Sequence, residues 1–194
     1  MSTKPRVGVL SFQGDFAKHA QRLEELGAAV VSVRTPEAVR QIDGLIIPGG
    51  ESTTIGMLME RFGLLEAVRE EAGTRLAVFG TCAGAILLAK EIRESDQPRL
   101  ALMEMEVQRN AYGRQIDSFE ASFSSREFRE VPLRGVFIRA PIITRVDAPA
   151  ETIATYEEHP VVVRQGNLLA ATFHPELTED VRLHQYFVNI IREG

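Results

Sequence analysis

The sequence predicts a single-domain, three-layer α/β fold with a mostly parallel central sheet and added antiparallel strands in its C-terminal half. Short, wholly apolar runs alternate with segments of helical period over residues 7–90, the pattern of strands covered on both faces by helices. From about Ala101 strand-like runs and turn residues follow one another closely, which marks antiparallel additions. The 194 residues, 44% hydrophobic and 25% charged, suit one buried core and leave no room for a second catalytic domain.

Val7 to Phe12 reads as the first strand, and Phe16, Ala20, Leu23 and Leu26 then fall on one face of a helix that ends at Gly27. Val30 to Val33 is the second strand. Thr35-Pro36 supplies an N-cap followed by proline at the first helical position, giving a short helix before the strand Leu45 to Ile47. That strand stops at Pro48-Gly49-Gly50. Helical period resumes from about Thr54 to Glu71 with a break near Phe62-Gly63, the strand Leu76 to Phe79 follows, and Ala85 to Lys90 reads as the next helix. The strand-rich part comprises Leu102 to Gln108, Phe119 to Phe123, Val136 to Ile138, Thr152 to Tyr156, Val161 to Arg164 and Leu168 to Phe173, with Gly166-Asn167 as a hairpin turn. A last helix carries Leu183, Phe187, Ile190 and Ile191 on one face, with Thr178 as its expected N-cap and acids in its first turn.

Composition narrows the function. The formal charge of −5 tells against a nucleic-acid surface, no phosphate-cradling glycine motif is present, and no apolar stretch reaches the roughly 18 residues of a membrane span. A cytoplasmic protein without nucleic-acid or membrane partners is the expectation. The one cysteine cannot form an internal disulfide, and nothing has the spacing of a metal site.

That cysteine, Cys82, sits in Gly80-Thr81-Cys82-Ala83-Gly84 between an apolar strand and an apolar helix. Strand, G-x-C-x-G turn and helix form a nucleophile elbow, in which small neighbours permit a cramped turn that holds the reactive atom out. A free thiol is only about 3% ionised at pH 7 and a helix N-terminus contributes about 0.3 to 1 kcal/mol, so a basic partner is needed. His19, His159 and His184 read as surface or internally satisfied side chains. His174 follows an apolar strand and precedes Pro175-Glu176. Proline favours an extended residue before it, and residues two apart in an extended chain project to one side, so Glu176 can orient the imidazole. Acyl transfer also requires N–H donors for the oxyanion. Ala83, directly after the nucleophile, and Gly50 are the expected donors, with Gly50 free to turn its peptide in or out.

Taken together and in chain order, Pro48-Gly49-Gly50-Glu51, the cysteine elbow and His174-Pro175-Glu176 resemble the class I (triad) glutamine amidotransferases, a flavodoxin-like fold. Gly49 to Thr54, Arg109-Asn110-Ala111-Tyr112-Gly113-Arg114-Gln115 and Phe137-Ile138-Arg139-Ala140-Pro141 look like the glutaminase subunits of pyridoxal 5′-phosphate synthases, and the likeness runs from Val7 nearly to the C-terminus. The resemblance implies Cys82 as nucleophile, His174 and Glu176 as its relay, and L-glutamine held by Gly49, Gly50, Glu51, Arg109, Ile138 and Arg139. Glu51 and an arginine suit the two charges of an α-amino acid. It further implies a hetero-oligomer with a (β/α)8-barrel synthase subunit that assembles as rings, weak activity until docked, and no bound cofactor, pyridoxal phosphate being the product of the complex. Gln13, Gly14 and Asp15, with the Gly49-Gly50 loop, are candidates for sensing that partner. One departure stands out: a Leu-Gly-Leu-Met-Asp-like stretch is expected where this chain has Leu100-Ala101-Leu102-Met103-Glu104. A class I glutaminase serving another acceptor, a flavodoxin-like cysteine hydrolase or peptidase, and a non-catalytic binding module are the competing readings.

Overall fold

The computed structural model describes residues 4–72, 74–109 and 118–193. The expected order holds through the first half: β1 (Arg6–Leu10), α1 (Phe16–Glu25), β2 (Ala29–Val33), α2 (Pro36–Val39), β3 (Gly44–Ile47), α3 (Ser52–Arg61), α4 (Leu64–Ala72), β4 (Ala77–Thr81) and α5 (Ala83–Leu88). Then come β5 (Ala89–Ile92), β6 (Met103–Gln108), β7 (Ser118–Phe123), β8 (Leu133–Ile138), β9 (Ile142–Val146), β10 (Glu151–Tyr156), β11 (His159–Gln165), β12 (Leu168–Ala171), a single 3-10 turn (Pro175–Leu177) and α6 (Arg182–Glu193).

Among the described residues the main sheet has seven strands in the order β10-β11-β12-β4-β3-β1-β2. Its ladders from β12 through β4, β3 and β1 to β2 are parallel, and β11 is antiparallel to both neighbours. The period-two rule of strands sorts the core into two layers. Leu45, Ile47, Val78, Leu168 and Ala170 face one apolar cluster together with residues of α3, α4 and α5. Ile46, Phe79, Leu169 and Ala171 face the other, with Leu23 of α1 and Leu183, Phe187 and Val188 of α6. Two smaller sheets, β5-β6-β9 and β7-β8, are added in the C-terminal half. Among the described residues no helix is long and apolar enough to cross a membrane.

Local sequence accounts for several boundaries. Thr35 Oγ1 accepts from Ala38 N at 3.4 Å and Pro36 opens α2, while Gly27, at φ 77°, ends α1. The Phe62-Gly63 break separates α3 from α4. Glu157 and Glu158, both at positive φ, make the tight connection between β10 and β11, so His159 opens a strand.

Other expectations are corrected. The helix after the elbow stops at Leu88, not Lys90: Ala89 leaves helical geometry, with ψ at 138°. Ala89 opens β5, opposite Met103 of β6, and the last helical carbonyls, of Leu87 and Leu88, accept from Leu100 N (2.7 Å) and Leu102 N (3.0 Å). The sequence reading also omits β9, although Ile142, Ile143, Thr144 and Val146 carry β-branched side chains. Thr178 is not the N-cap of α6. Its hydroxyl donates to Pro175 O (3.1 Å) and accepts from Asp180 N (3.2 Å), so it closes the 3-10 turn, while Asp180 Oδ1 takes Arg182 N at the true start of α6, which has no acid in its first turn.

Within the Leu100–Glu104 departure the backbone at Ala101 is the feature that matters. Ala101 holds φ at 55°, in the left-handed region that favours glycine. Ala101→Gly is expected to raise stability by about 0.5 to 1 kcal/mol, after the glycine's added unfolded-state freedom is subtracted. At this chain length that is a rise of about 1 to 4 °C in Tm, measurable by thermal unfolding.

Candidate active site

The C-terminal ends of β1, β3, β4, β6, β8 and β12 converge on a cavity of about 340 Å³ lined by Gly14, Asp15, Gly49, Gly50, Glu51, Ser52, Cys82, Ile86, Arg109, Ile138, Arg139 and His174. Eight of the ten residues singled out in the sequence therefore share one space. Of the other two, Ala83 is the first residue of α5, beside Cys82, and Glu176 lies behind His174.

Cys82 ends the β4 ladder with its N–H on Ala171 O (2.8 Å) and turns sharply, at φ 49° and ψ −103°. A non-glycine residue there stores on the order of 1 to 3 kcal/mol. The flanking glycines are required by space: a Cβ on Gly80 would lie 2.4 Å from the Gly84 carbonyl carbon and oxygen, and one on Gly84 would lie 2.0 Å from Ile47 O. The thiol is almost enclosed, 6% exposed, with Sγ 3.8 Å from Ile138 O. Ala83 opens a helix, so its N–H belongs to the set that lacks an intrahelical acceptor.

His174 is fixed from three sides. Its N–H bonds Val136 O at 2.8 Å, its Nδ1 lies 2.8 Å from Glu176 Oε1, and Gly49 lies so close to the ring that a Cβ there would sit 2.4 Å from Cε1. Glu176 reaches it from the 3-10 turn, not from an extended segment, because Pro175 begins that turn. Burial pulls the His174 imidazole down, but the hydrogen bonds and charges it shares with Cys82 and Glu176 outweigh this and lift it to about 10.

The loop after β3 rests on the loop after β1. Gly14, at φ 88°, lies so close to Gly49 that a Cβ would sit 2.0 Å from its carbonyl oxygen, and Gln13 Oε1 accepts Glu51 N–H at 2.8 Å. Glu51 caps α3 through Thr53 N (3.1 Å) and Thr54 N (2.8 Å). Burial pushes its carboxyl up, yet the Thr54 and Thr53 hydrogen bonds prevail and hold it below the usual carboxylate range. Arg109 places one nitrogen 3.1 Å from Glu51 Oε1 and the other 3.0 Å from Thr53 Oγ1 and 2.8 Å from Gln97 Oε1. Gln97, buried and holding also the Ser52 hydroxyl at 3.2 Å, went unnoticed in the sequence because nothing local distinguishes it. Asn110 to Gln115 of the sequence motif lie outside the described residues.

Neither His19 nor His184 is a surface side chain: both are fully buried, with Nδ1 of the first 2.9 Å from Nε2 of the second, and only His19 has a partner on each ring nitrogen, Nδ1 of His184 having none among the described residues. Burial first, then the charges of His184 and His174, depress His19, and burial, with Arg22 adding, lowers His184 to about 4. Both imidazoles are therefore neutral in the folded state. Below the ordinary value of 6.5 the unfolded chain gains protons that the folded chain refuses, so stability is expected to fall as pH drops from 6.5 toward 4, by up to about 1.4 kcal/mol per pH unit for each histidine. Urea midpoints at pH 7 and 5 measure this, and His184→Leu should flatten the decline.

A Pyridoxal 5'-phosphate synthase subunit PdxT from Moorella thermoacetica is 56% identical to this chain, with 96% of this chain and 99% of that one covered. One from Carboxydothermus hydrogenoformans is 50% identical over 97% and 99%. A solved glutamine amidotransferase superposes with a TM-score of 0.92 at 48% identity, covering 96% of this chain and 98% of its own. A family model matches residues 9–193, nearly all of the sequence, and by that match the chain belongs to the SNO glutamine amidotransferase family.

Proposed function

We propose that this chain is the glutaminase subunit of a pyridoxal 5′-phosphate synthase, hydrolysing L-glutamine to L-glutamate and ammonia for vitamin B6 biosynthesis. The observation that carries the reading is the single cavity in which a thiol on a left-handed elbow meets a carboxylate-bound histidine, with Glu51 and Arg109 on the same wall. The PdxT relatives, matched over their whole length, support the choice of acceptor.

Glu51 and Arg109 engage the α-ammonium and α-carboxylate of glutamine, and Gly49, Ile138 and Arg139 complete the seat. Cys82 thiolate attacks the side-chain carboxamide carbon, and the N–H groups of Gly50 and Ala83 receive the oxyanion. The raised proton affinity of His174 keeps an imidazolium at neutral pH. It protonates the departing nitrogen, so ammonia leaves and a γ-glutamyl thioester remains. Neutral His174 then takes a proton from water, the hydroxide opens the thioester, and glutamate departs with the thiolate and imidazolium restored. Glu176 holds the ring in the required tautomer throughout.

Ammonia freed into water at neutral pH is protonated and loses its nucleophilicity. Delivery therefore runs through a hetero-oligomer, to a cytoplasmic synthase subunit built as a (β/α)8 barrel. The test is to incubate the protein with 6-diazo-5-oxo-norleucine, with and without that subunit, and to map the adduct by mass spectrometry. Alkylation of Cys82, with glutamate production enhanced by the synthase subunit, supports the reading. A Cys82 that stays unmodified in the complex overturns it.

A further inference from the structure

The relay does not end at Glu176. The carboxylate is fully buried, and only its Oε1 is occupied by His174. Its Oε2 has no aligned hydrogen-bond donor among the described residues, and the polar atom facing it is Nε2 of His19, 3.3 Å away. The same Nε2 stands 3.2 Å from Thr81 Oγ1, the residue just before the nucleophile. A buried carboxylate oxygen without a donor is costly, so the hydrogen belongs on Nε2 of His19.

That assignment fixes the rest of the chain of contacts. With its proton on Nε2, neutral His19 offers a lone pair at Nδ1, and His184 Nε2, 2.9 Å away, must be the donor to it. His184 Nδ1 is then an unprotonated nitrogen, which agrees with its having no partner among the described residues. An orphan lone pair is tolerated better than an orphan N–H.

We propose that His19 is a positioning residue of the glutaminase reaction: its Nε2–H, shared between Thr81 Oγ1 and Glu176 Oε2, holds the carboxylate so that it presents Oε1 to His174 in one fixed orientation. His184 acts one step further back by holding the His19 tautomer. Both come from helices behind the sheet, α1 and α6, whose packing therefore sets the aim of the catalytic imidazole. The proposal rests on the glutaminase reading given above.

Two variants test it in the complex with the synthase subunit. His19→Leu removes the donor, and kcat for glutamate release is expected to fall about 10- to 100-fold with KM changed by less than about twofold, because nothing that touches glutamine is altered. His19→Gln places an amide N–H near the former Nε2 and is expected to recover kcat to within about threefold of the wild type. A folded His19→Leu protein with wild-type kcat overturns the proposal, as does a folded His19→Gln protein no faster than His19→Leu. Imidazole 15N spectra of the wild-type protein report the tautomers directly and stand even if His19→Leu does not fold. Nε2–H at both His19 and His184 is expected, and Nδ1–H at His19 overturns the assignment. If the wild-type complex releases no glutamate, the glutaminase reading fails, while the spectra still decide the pairing.

Discussion

Cys82→Ala is expected to abolish glutamate release, lowering kcat by a factor on the order of 10⁴ or more, because the thioester route has no other nucleophile. The chain has a single cysteine, so no neighbouring thiol can substitute. The fold should survive: the side chain is small, its Sγ approaches Ile138 O only at 3.8 Å, its other partner His174 is held separately by Val136 O and Glu176 Oε1, and alanine fits the same space. The backbone at this position offers a sharper check. Because φ is 49° there, glycine relieves the strain that alanine retains, and Cys82→Gly should be more stable than Cys82→Ala by about 1 kcal/mol in urea unfolding. Turnover by Cys82→Ala near the wild-type rate would remove the mechanism; equal stability of the two variants would remove the account of the elbow.

Gly49→Ala is the second large effect. An added methyl would sit 2.4 Å from His174 Cε1 and 3.2 Å from each ring nitrogen. No backbone strain is involved, so the whole effect comes from this collision. The ring must retreat by about 1 Å to restore ordinary contact, and a displacement of that size from the reacting geometry costs about 10²-fold in rate. Loss of kcat by that factor in steady-state assays, with the protein still folded, is the expected outcome. An unaffected kcat would show that His174 is not held by the loop after β3.

The elbow and the pairing of His174 with Glu176 were legible in the sequence because each is local, although the 3-10 turn opened by Pro175, and not the expected extended segment, is what aims Glu176. The two apolar faces of the sheet followed from the same short-range periodicity. What escaped depends on distant partners. Lys90 continues a helical pattern, yet α5 ends earlier because Ala89 to Ile92 pair with the distant strand β6. Thr178 satisfies the rule for an N-cap, yet the short turn that carries Glu176 claims its hydroxyl. Gln97 joins Arg109 only through tertiary approach, and His19 and His184 meet from opposite ends of the chain. Glu51 was read as a substrate ligand; that it also caps α3 and pairs with Arg109 emerges from the packing alone.

The parallel ladder between β4 and β12 carries a consequence for biosynthesis. Ala171 pairs with Thr81, and the amide of Cys82 closes on Ala171 O at 2.8 Å, so thiol and imidazole belong to adjacent strands although almost half the polypeptide separates them. A nascent polypeptide emerging from the ribosome can form the elbow early, but it lacks His174, the general base we propose, until β12 has been translated and slotted between β4 and β11. Synthesis interrupted before that point yields a mute fragment, and ammonia is not squandered by unfinished copies of the enzyme.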